Sequence, residues 1–402
     1  MRTVVIGAGH AGGQVVASLR SEGYVGEIVL VGDEEQLPYQ RPPLSKAYLS
    51  GDQLPEKMLI RPEKFYQDKQ IQLRLGTRAE HIDREARTVS LGTGERIEWT
   101  HLVLATGSHV RRLPLPGVAL PGVHYLRTIR DVDAIREGMA PGRRLVIIGG
   151  GYIGLEVAAV AVKSGLDVTV LEMESRILKR VTTPAMSEFY TRIHTGHGVK
   201  IRCEAAASEI VGTAHVESVR CRDGSEIPAD IVIIGVGILP TTDLAEAAGL
   251  DVDNGILVDD HCRTSDPNIY AIGDCTSHPS ALLERRLRLE SVPNATDQGR
   301  VTAANICGKD KVYDSVPWFW SDQYDLKLQM VGFSTDADTE VLRGDPESAV
   351  FARFYLRDGV VVGVDAVNSP REFMAAKQLV AERRRVDTER LADPAVSIKE
   401  LL

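Results

Sequence analysis

Cysteine is scarce: five residues in 402, at positions 203, 221, 262, 275 and 307, with no two in CxxC spacing. A low, odd count excludes a disulfide scaffold and suits free thiols in a reducing cytosol. Aromatic residues are few as well, at 5% of the chain. Excess positive charge is missing, since 47 Lys and Arg stand against 56 Asp and Glu for a net −9. Nucleic acid and anionic membrane both demand a basic footprint, so neither is the expected main partner. No unbroken apolar run is long enough to span a bilayer. The best candidate, 145–162, is divided by Gly149-Gly150-Gly151 and carries Glu156, so it reads as a buried strand, a glycine turn and a helix. At the amino end Arg2 leads directly into the strand pattern Thr3-Val4-Val5-Ile6, which leaves no room for a signal peptide, and the expected location is cytoplasmic.

What is present begins with 43% hydrophobic residues, too many for a disordered chain. At roughly 150 residues per domain the length predicts two or three domains. The first informative stretch is TVVIGAGHAGGQVVASLR, where Gly7, Gly9 and Gly12 form GxGxxG between a strand and an apolar-periodic helix. Gly7 permits the tight turn, Gly9 lets backbone approach a pyrophosphate, and Gly12 lets the helix close on the strand. A second strand, 28–31, ends at Gly32-Asp33-Glu34. Asp33 either accepts hydrogen bonds from a ribose diol or is a turn carboxylate in water.

The unit recurs in RRLVIIGGGYIGLEVAAVAVKSGLDVTVLE, with Gly149, Gly151 and Gly154 after a strand at 145–148 and Glu172 directly after a strand at 168–171. Two copies imply two dinucleotides, or a duplicated domain with one copy idle; the second copy keeps every required element. Glu172 would repel a 2′-phosphate, so this site should prefer NADH to NADPH. Arg176 could read a phosphate, and Glu174 argues against that. Further strand-and-turn signals are Leu102 to Leu104 closed by Ala105-Thr106-Gly107, a similar run at 231–237 ending on Gly237, and an apolar strand that ends in Gly273-Asp274. Asp274 either accepts from a polyol such as ribitol or caps the next helix.

The order GxGxxG, ATG, GxGxxGxE, GxGxxP and T…AIGD resembles the flavoprotein pyridine-nucleotide reductases over nearly the whole chain. Within them, RPPLSKAYL (41–49), GGGYIGLEVAA, ESVPNA (290–295) and PWFWSDQY (317–324) look like the putidaredoxin reductase group. That group comprises FAD-containing, NADH-dependent ferredoxin reductases serving haem-thiolate monooxygenases and Rieske-type dioxygenases. The resemblance implies an α/β fold of the glutathione-reductase type. Its two Rossmann-like domains are an FAD domain in two pieces, 1–111 and 241–316, and an NADH domain, 112–240, inserted between them; an α+β C-terminal domain covers 317–402. Pro114, Pro116 and Pro240 mark the crossings.

Disulfide reductases and peroxidases of this superfamily place redox cysteines at the flavin, where this chain has Pro42-Pro43-Leu44-Ser45-Lys46-Ala47. A thiol relay is therefore not expected, and electrons should leave reduced FAD directly for a two-iron two-sulfur ferredoxin. The resemblance implies that Lys46 lies beside the flavin and pairs with Glu156. Taken alone, these are a surface lysine and a helix glutamate paired elsewhere. Trp318 and Trp320 project to one face of an extended segment, either covering the flavin, with Trp320 the nearer, or packing between domains. The loop at Val292 meets the flavin pyrimidine in the family. Cys275, beside Asp274, reads as a small buried residue. The runs Arg285-Arg286-Leu287-Arg288 and Arg383-Arg384-Arg385 are docking patches for an acidic ferredoxin or solvated faces. Two rivals share the fold. An NADH oxidase or disulfide reductase lacks its cysteine here, and an apoptosis-inducing-factor-like binding protein lacks its targeting segment and basic surface.

Overall fold

The structure, a computed structural model, describes residues 1–335 and 337–402. By contact the chain divides into two units: Met1–Gln40, Glu56–His109 and Leu239–Pro317 form the first, and Arg41–Pro55, Val110–Ile238 and Trp318–Leu402 the second.

The first unit is built on a parallel sheet in the order Ile269–Ala271, His101–Leu104, Arg2–Ile6, Glu27–Val31, Ile71–Arg74. Its central strands are apolar almost throughout because both faces are covered. Val5 points to one side, where the helices His10–Ser21 and Val292–Ile306 supply Val15, Leu19 and Val301. Val4 and Ile6 point to the other, where the antiparallel meander Ala79–Asp83, Thr88–Leu91, Arg96–Glu98 supplies Ile82, Val89 and Ile97. The period of two along the strand distributes the two cores.

The second unit repeats this design. Its parallel sheet runs Lys200–Arg202, Asp167–Leu171, Arg144–Ile148, Ile231–Ile234, Val123–Tyr125, with a meander Ala207–Gly212, Val216–Cys221, Glu226–Pro228. The edge strand Val123–Tyr125 precedes the glycine turn in sequence, whereas its counterpart in the first unit, Ile269–Ala271, comes last. The second unit also holds an antiparallel sheet in the order Trp318–Gln323, Leu326–Gly332, Val360–Val367, Val350–Arg357, Thr339–Asp345, followed by the helix Pro370–Ala381. Leu328, Met330, Phe351 and Val367 of that sheet pack with Leu155 of the helix Tyr152–Lys163 and with Phe189 and Tyr190 of the helix Pro184–Gly196. The fold is thus α/β, with two Rossmann-like halves and an α+β C-terminal part.

One segment departs from its expected grouping. Residues 41–55, expected with the FAD pieces, group with the second unit. There Tyr48 Oη donates to Asp133 at 2.6 Å and Arg41 donates to the Arg127 carbonyl at 2.8 Å. Among the described residues no helix is long and apolar enough to cross a membrane.

Candidate active site

The two glycine turns make matching hydrogen bonds. Gly7 N–H donates to the Val31 carbonyl and Gly149 N–H to that of Leu171, each at 2.8 Å. Both glycines have strongly positive φ, +112° and +115°. A Cβ on Gly7 would stand 2.0 Å from the Ala105 carbonyl oxygen, and one on Gly149 would stand 2.3 Å from that of Gly235. Gly12 and Gly154 let each helix start close onto its turn, since a Cβ there would meet the carbonyl oxygens of Gly7 and Gly149. Gly9 and Gly151 behave in the opposite way. Each is the N-cap of its helix with no side-chain cap and no acid in the first turn, and a Cβ on either would meet nothing within 4 Å. Open space at the positive end of a helix is what a dinucleotide pyrophosphate requires, so these residues fit FAD and NADH.

The strand ends differ. Glu172 Oε2 accepts from Gly150 N–H at 2.8 Å and Oε1 accepts from Glu174 N–H at 2.9 Å, so its carboxylate is fixed on the glycine turn with lone pairs to spare for a ribose diol. In the first unit Gly32 takes that place, and a Cβ on it would lie 2.5 Å from the Ala8 Cβ. Asp33 is exposed, and its neighbour Glu34, half-buried, accepts from Tyr39 Oη at 2.7 Å. Arg176 is not free to read a phosphate. Its guanidinium donates to the carbonyls of Thr183, Lys179 and Thr182 and to Ser187 Oγ.

Other expected residues gather in the first unit. Ala105 N–H continues the sheet onto the Ile6 carbonyl, and Thr106 Oγ1 donates to the Thr241 carbonyl at 2.7 Å. Gly107, at positive φ, accepts from Thr241 N–H. Asp274 lies in the short turn Gly273–Cys275 and accepts from Ser108 Oγ at 2.8 Å. Val292 opens a helix whose N-cap, Ser291, accepts from Asn294 N–H. In the second unit Gly237, φ +101°, accepts from Arg111 N–H.

Lys46 and Glu156, 110 residues apart in sequence, meet in the second unit with Nζ 2.6 Å from Oε2. The Lys46 side chain is 19% exposed and that of Glu156 1%. Lys46 follows the 3-10 turn Pro42–Ser45, whose prolines preset the backbone and bring Ser45 Oγ to the same carboxylate oxygen at 2.5 Å. Ser321 Oγ donates to the other oxygen, Oε1, at 2.6 Å. Three donors on one buried carboxylate offset the cost of taking it out of water. Sequence reasoning missed Ser45 and Ser321. The alternation along Trp318–Gln323 carries the signal for Ser321: it shares a face with Phe319, whose ring lies 5.4 Å from that of Tyr152 on the glutamate's own helix.

Trp318 and Trp320 share the other face, as alternation predicts, with ring centroids 5.7 Å apart, and the Lys377 ammonium stands 4.6 Å over Trp318. The arginine run 285–288 lies on the exposed strand Arg285–Leu287 and just beyond it. Arg286 is anchored to the carbonyls of Val258 and Ser277, and Arg288 pairs with Glu290. Burial pushes all five thiols up, that of Cys262 to about 12, and Cys275 donates its thiol to the Ile272 carbonyl. None is a thiolate at neutral pH.

A fold that builds one dinucleotide cradle twice belongs to the class of pyridine-nucleotide oxidoreductases. The description "pyridine nucleotide-disulphide oxidoreductase" matches residues 1–299 and "reductase C-terminal" matches 318–402; the chain belongs to this family. It is 46% identical over 400 residues to rhodocoxin reductase of Rhodococcus erythropolis, covering 99% of this chain and 94% of that protein. It is 44% identical to putidaredoxin reductase CamA of Pseudomonas putida, covering 99% and 96%. The solved covalent putidaredoxin reductase–putidaredoxin complex contains a chain that matches with TM-score 0.97 at 43% identity, covering 100% of this chain and 97% of that one.

Proposed function

We propose that this chain is an NADH-dependent ferredoxin reductase that carries FAD and passes single electrons to a two-iron two-sulfur ferredoxin feeding a monooxygenase or a Rieske-type dioxygenase. The observation that carries the reading is that the segment where disulfide reductases of this superfamily keep their cysteines holds Lys46 instead, paired with the buried Glu156. FAD, when bound, supplies the conversion from a two-electron hydride donor to one-electron acceptors. The protein supplies position and charge.

Gly7, Gly9, Gly12, Asp33, Ala105, Thr106, Gly107, Asp274 and Val292 are the residues assigned to FAD, and Gly149, Gly151, Gly154, Glu172 and Gly237 those assigned to NADH. The consumed guanidinium of Arg176 and the fixed carboxylate of Glu172 both favour the nucleotide without a 2′-phosphate. Lys46 and Glu156 border the reacting rings. The Lys46 side chain would offset negative charge on a bound flavin, and the Glu156 carboxylate holds that side chain in place. Trp320 covers the flavin edge. The FAD, NADH and C-terminal domains divide near residues 111, 240 and 316. The chain works in the cytoplasm, and its ferredoxin is acidic and meets the strand that carries Arg285. The docking role is assigned to Arg285, Arg286 and Arg288 together; the head groups of Arg286 and Arg288 also hold protein partners and so shape that strand.

The test is reduction of a two-iron two-sulfur ferredoxin by NADH with purified FAD-loaded protein. Turnover well above that of free FAD plus NADH is expected. A rate no higher than the free-flavin control would end the proposal.

A further inference from the structure

Glu156 is the end of a buried hydrogen-bond chain that runs away from Lys46. Ser321 Oγ donates to Glu156 Oε1 at 2.6 Å, and Gln323 Nε2 donates to Ser321 Oγ at 3.1 Å. Gln323 Oε1 lies 2.8 Å from His194 Nε2, and Tyr324 Oη lies 3.0 Å from His194 Nδ1. Ser321, Gln323 and His194 are each at most 1% exposed. Tyr324, in the left-handed region at the hairpin that joins Trp318–Gln323 to Leu326–Gly332, stacks on His197 with centroids 3.9 Å apart.

The donors can be ordered in only one direction. Burial pushes the His194 imidazole down to about 4, so at neutral pH it has one N–H and one acceptor nitrogen. The Gln323 carbonyl oxygen requires the N–H at Nε2, which leaves Nδ1 to accept from the Tyr324 hydroxyl. The Gln323 amide then donates to Ser321, and the Ser321 hydroxyl proton has Glu156 as its acceptor. Every dipole along the chain points its positive end at the carboxylate. The titratable groups facing Glu156 among the described residues are Lys46 from the turn after Pro42–Ser45, Tyr152 on its own helix and Tyr190 from the helix Pro184–Gly196, while His194 of that helix reaches it only through Gln323 and Ser321. Asp322 and Asp365 of the C-terminal sheet act on Tyr190 from beyond. Burial pushes both phenols up, so they stay neutral, and Asp365 is pushed up to about 6.

We propose that Ser321, Gln323 and His194 are positioning residues for electron transfer: they fix one hydroxyl hydrogen bond on Glu156 Oε1 and thereby leave Oε2 committed to Lys46. The inference rests on the reading that Lys46 and Glu156 border the flavin. Its consequence is that the charge beside the flavin is set from the C-terminal sheet, by residues that touch neither nucleotide.

The experiment uses the FAD-loaded protein and two readouts. The first is the infrared carboxylic-acid band of Glu156, identified by its loss in Glu156→Gln and titrated with pH. Removing a donor from the charged form raises a carboxyl pKa, so Ser321→Ala is expected to move the protonation midpoint up by about one unit, a tenfold weaker hold on the anion. Gln323→Leu moves it in the same direction by less, and Ser321→Thr, which keeps the hydroxyl, leaves it in place. The second readout is the flavin midpoint potential, which rises in Ser321→Ala because a more loosely held Glu156 compensates the Lys46 charge less well. If Ser321→Ala lowers thermal stability without moving the band, or Ser321→Thr moves it as far as Ala, the positioning role is overturned. A band that moves while the potential does not would keep the chain's hold on Glu156 but overturn the placement of the pair beside the flavin. If Ser321→Ala does not fold, Gln323→Leu is judged by the same two readouts.

Discussion

The two glycine turns share their backbone hydrogen bonds but trade one side chain. In the first, position 8 carries a methyl group and position 32 is bare; in the second, position 150 is bare and position 172 carries a carboxylate that lies on Gly150 N–H. The space at the strand end admits a side chain from the turn or from the strand, not both. A Cβ at Gly32 would meet the Ala8 Cβ at 2.5 Å, and one at Gly150 would meet Ile177 at 2.8 Å and Glu172 Oε2 at 3.1 Å. Two cradles descended from one pattern can therefore differ in how they treat the adenosine ribose through a single small-to-large exchange. The second holds its acid on the turn itself; the first leaves Asp33 to solvent one residue further on.

The most drastic way to break this comparison is to fill the open space in each cradle. Gly9→Val and Gly151→Val should both fold, since a Cβ at either position meets nothing within 4 Å. Gly9→Val is expected to purify without visible flavin absorbance. Gly151→Val should keep its flavin and raise KM for NADH at least about 100-fold, the equivalent of roughly 2.7 kcal/mol. A colourless Gly151→Val protein beside a flavin-loaded Gly9→Val protein would exchange the two assignments. Glu172→Ser should have a smaller effect. Loss of charge-assisted hydrogen bonds to a ribose costs about 1.5–3 kcal/mol, or roughly 10–100-fold in KM for NADH, and the NADH/NADPH preference should narrow. A preference ratio equal to that of the parent would remove Glu172 from the ribose site.

The smallest effect sharpens the packing half of the comparison. Gly32→Ala should destabilise the protein by about 1–3 kcal/mol through overpacking against Ala8, and adding Ala8→Gly should restore most of it. Denaturant unfolding of the single and double variants measures both. Purely additive effects would show that positions 8 and 32 do not compete for the same space.

How much of this was legible in the sequence follows from how local each feature is. A glycine turn is a backbone device contained in six consecutive residues, and its strand and helix follow immediately, so Gly7, Gly9, Gly12 and their second copies are readable from spacing alone. The surroundings of Glu156 are assembled from segments at 45–46, 156 and 321–323, and no local pattern connects them. Lys46 is accessible only through family resemblance, and Ser321 lies on the face of its strand opposite the conspicuous tryptophans, with no local pattern to mark it. The arginine run shows the converse. Its density suggested a free cationic patch, yet carbonyls presented by Val258 and Ser277, which no charge count reveals, hold Arg286.

Arg176 has a bearing on engineering. The simplest route to recasting a reductase of this kind for the phosphorylated coenzyme is to clear the repelling acid and rely on the nearest arginine to greet the phosphate. Here that arginine is the rivet of its own loop, fastened to three carbonyls and a hydroxyl. Removing Glu172 lifts a prohibition without creating an invitation. A designer would have to bring a new cation to the pocket, and recruiting Arg176 instead would unfasten the loop that shapes it.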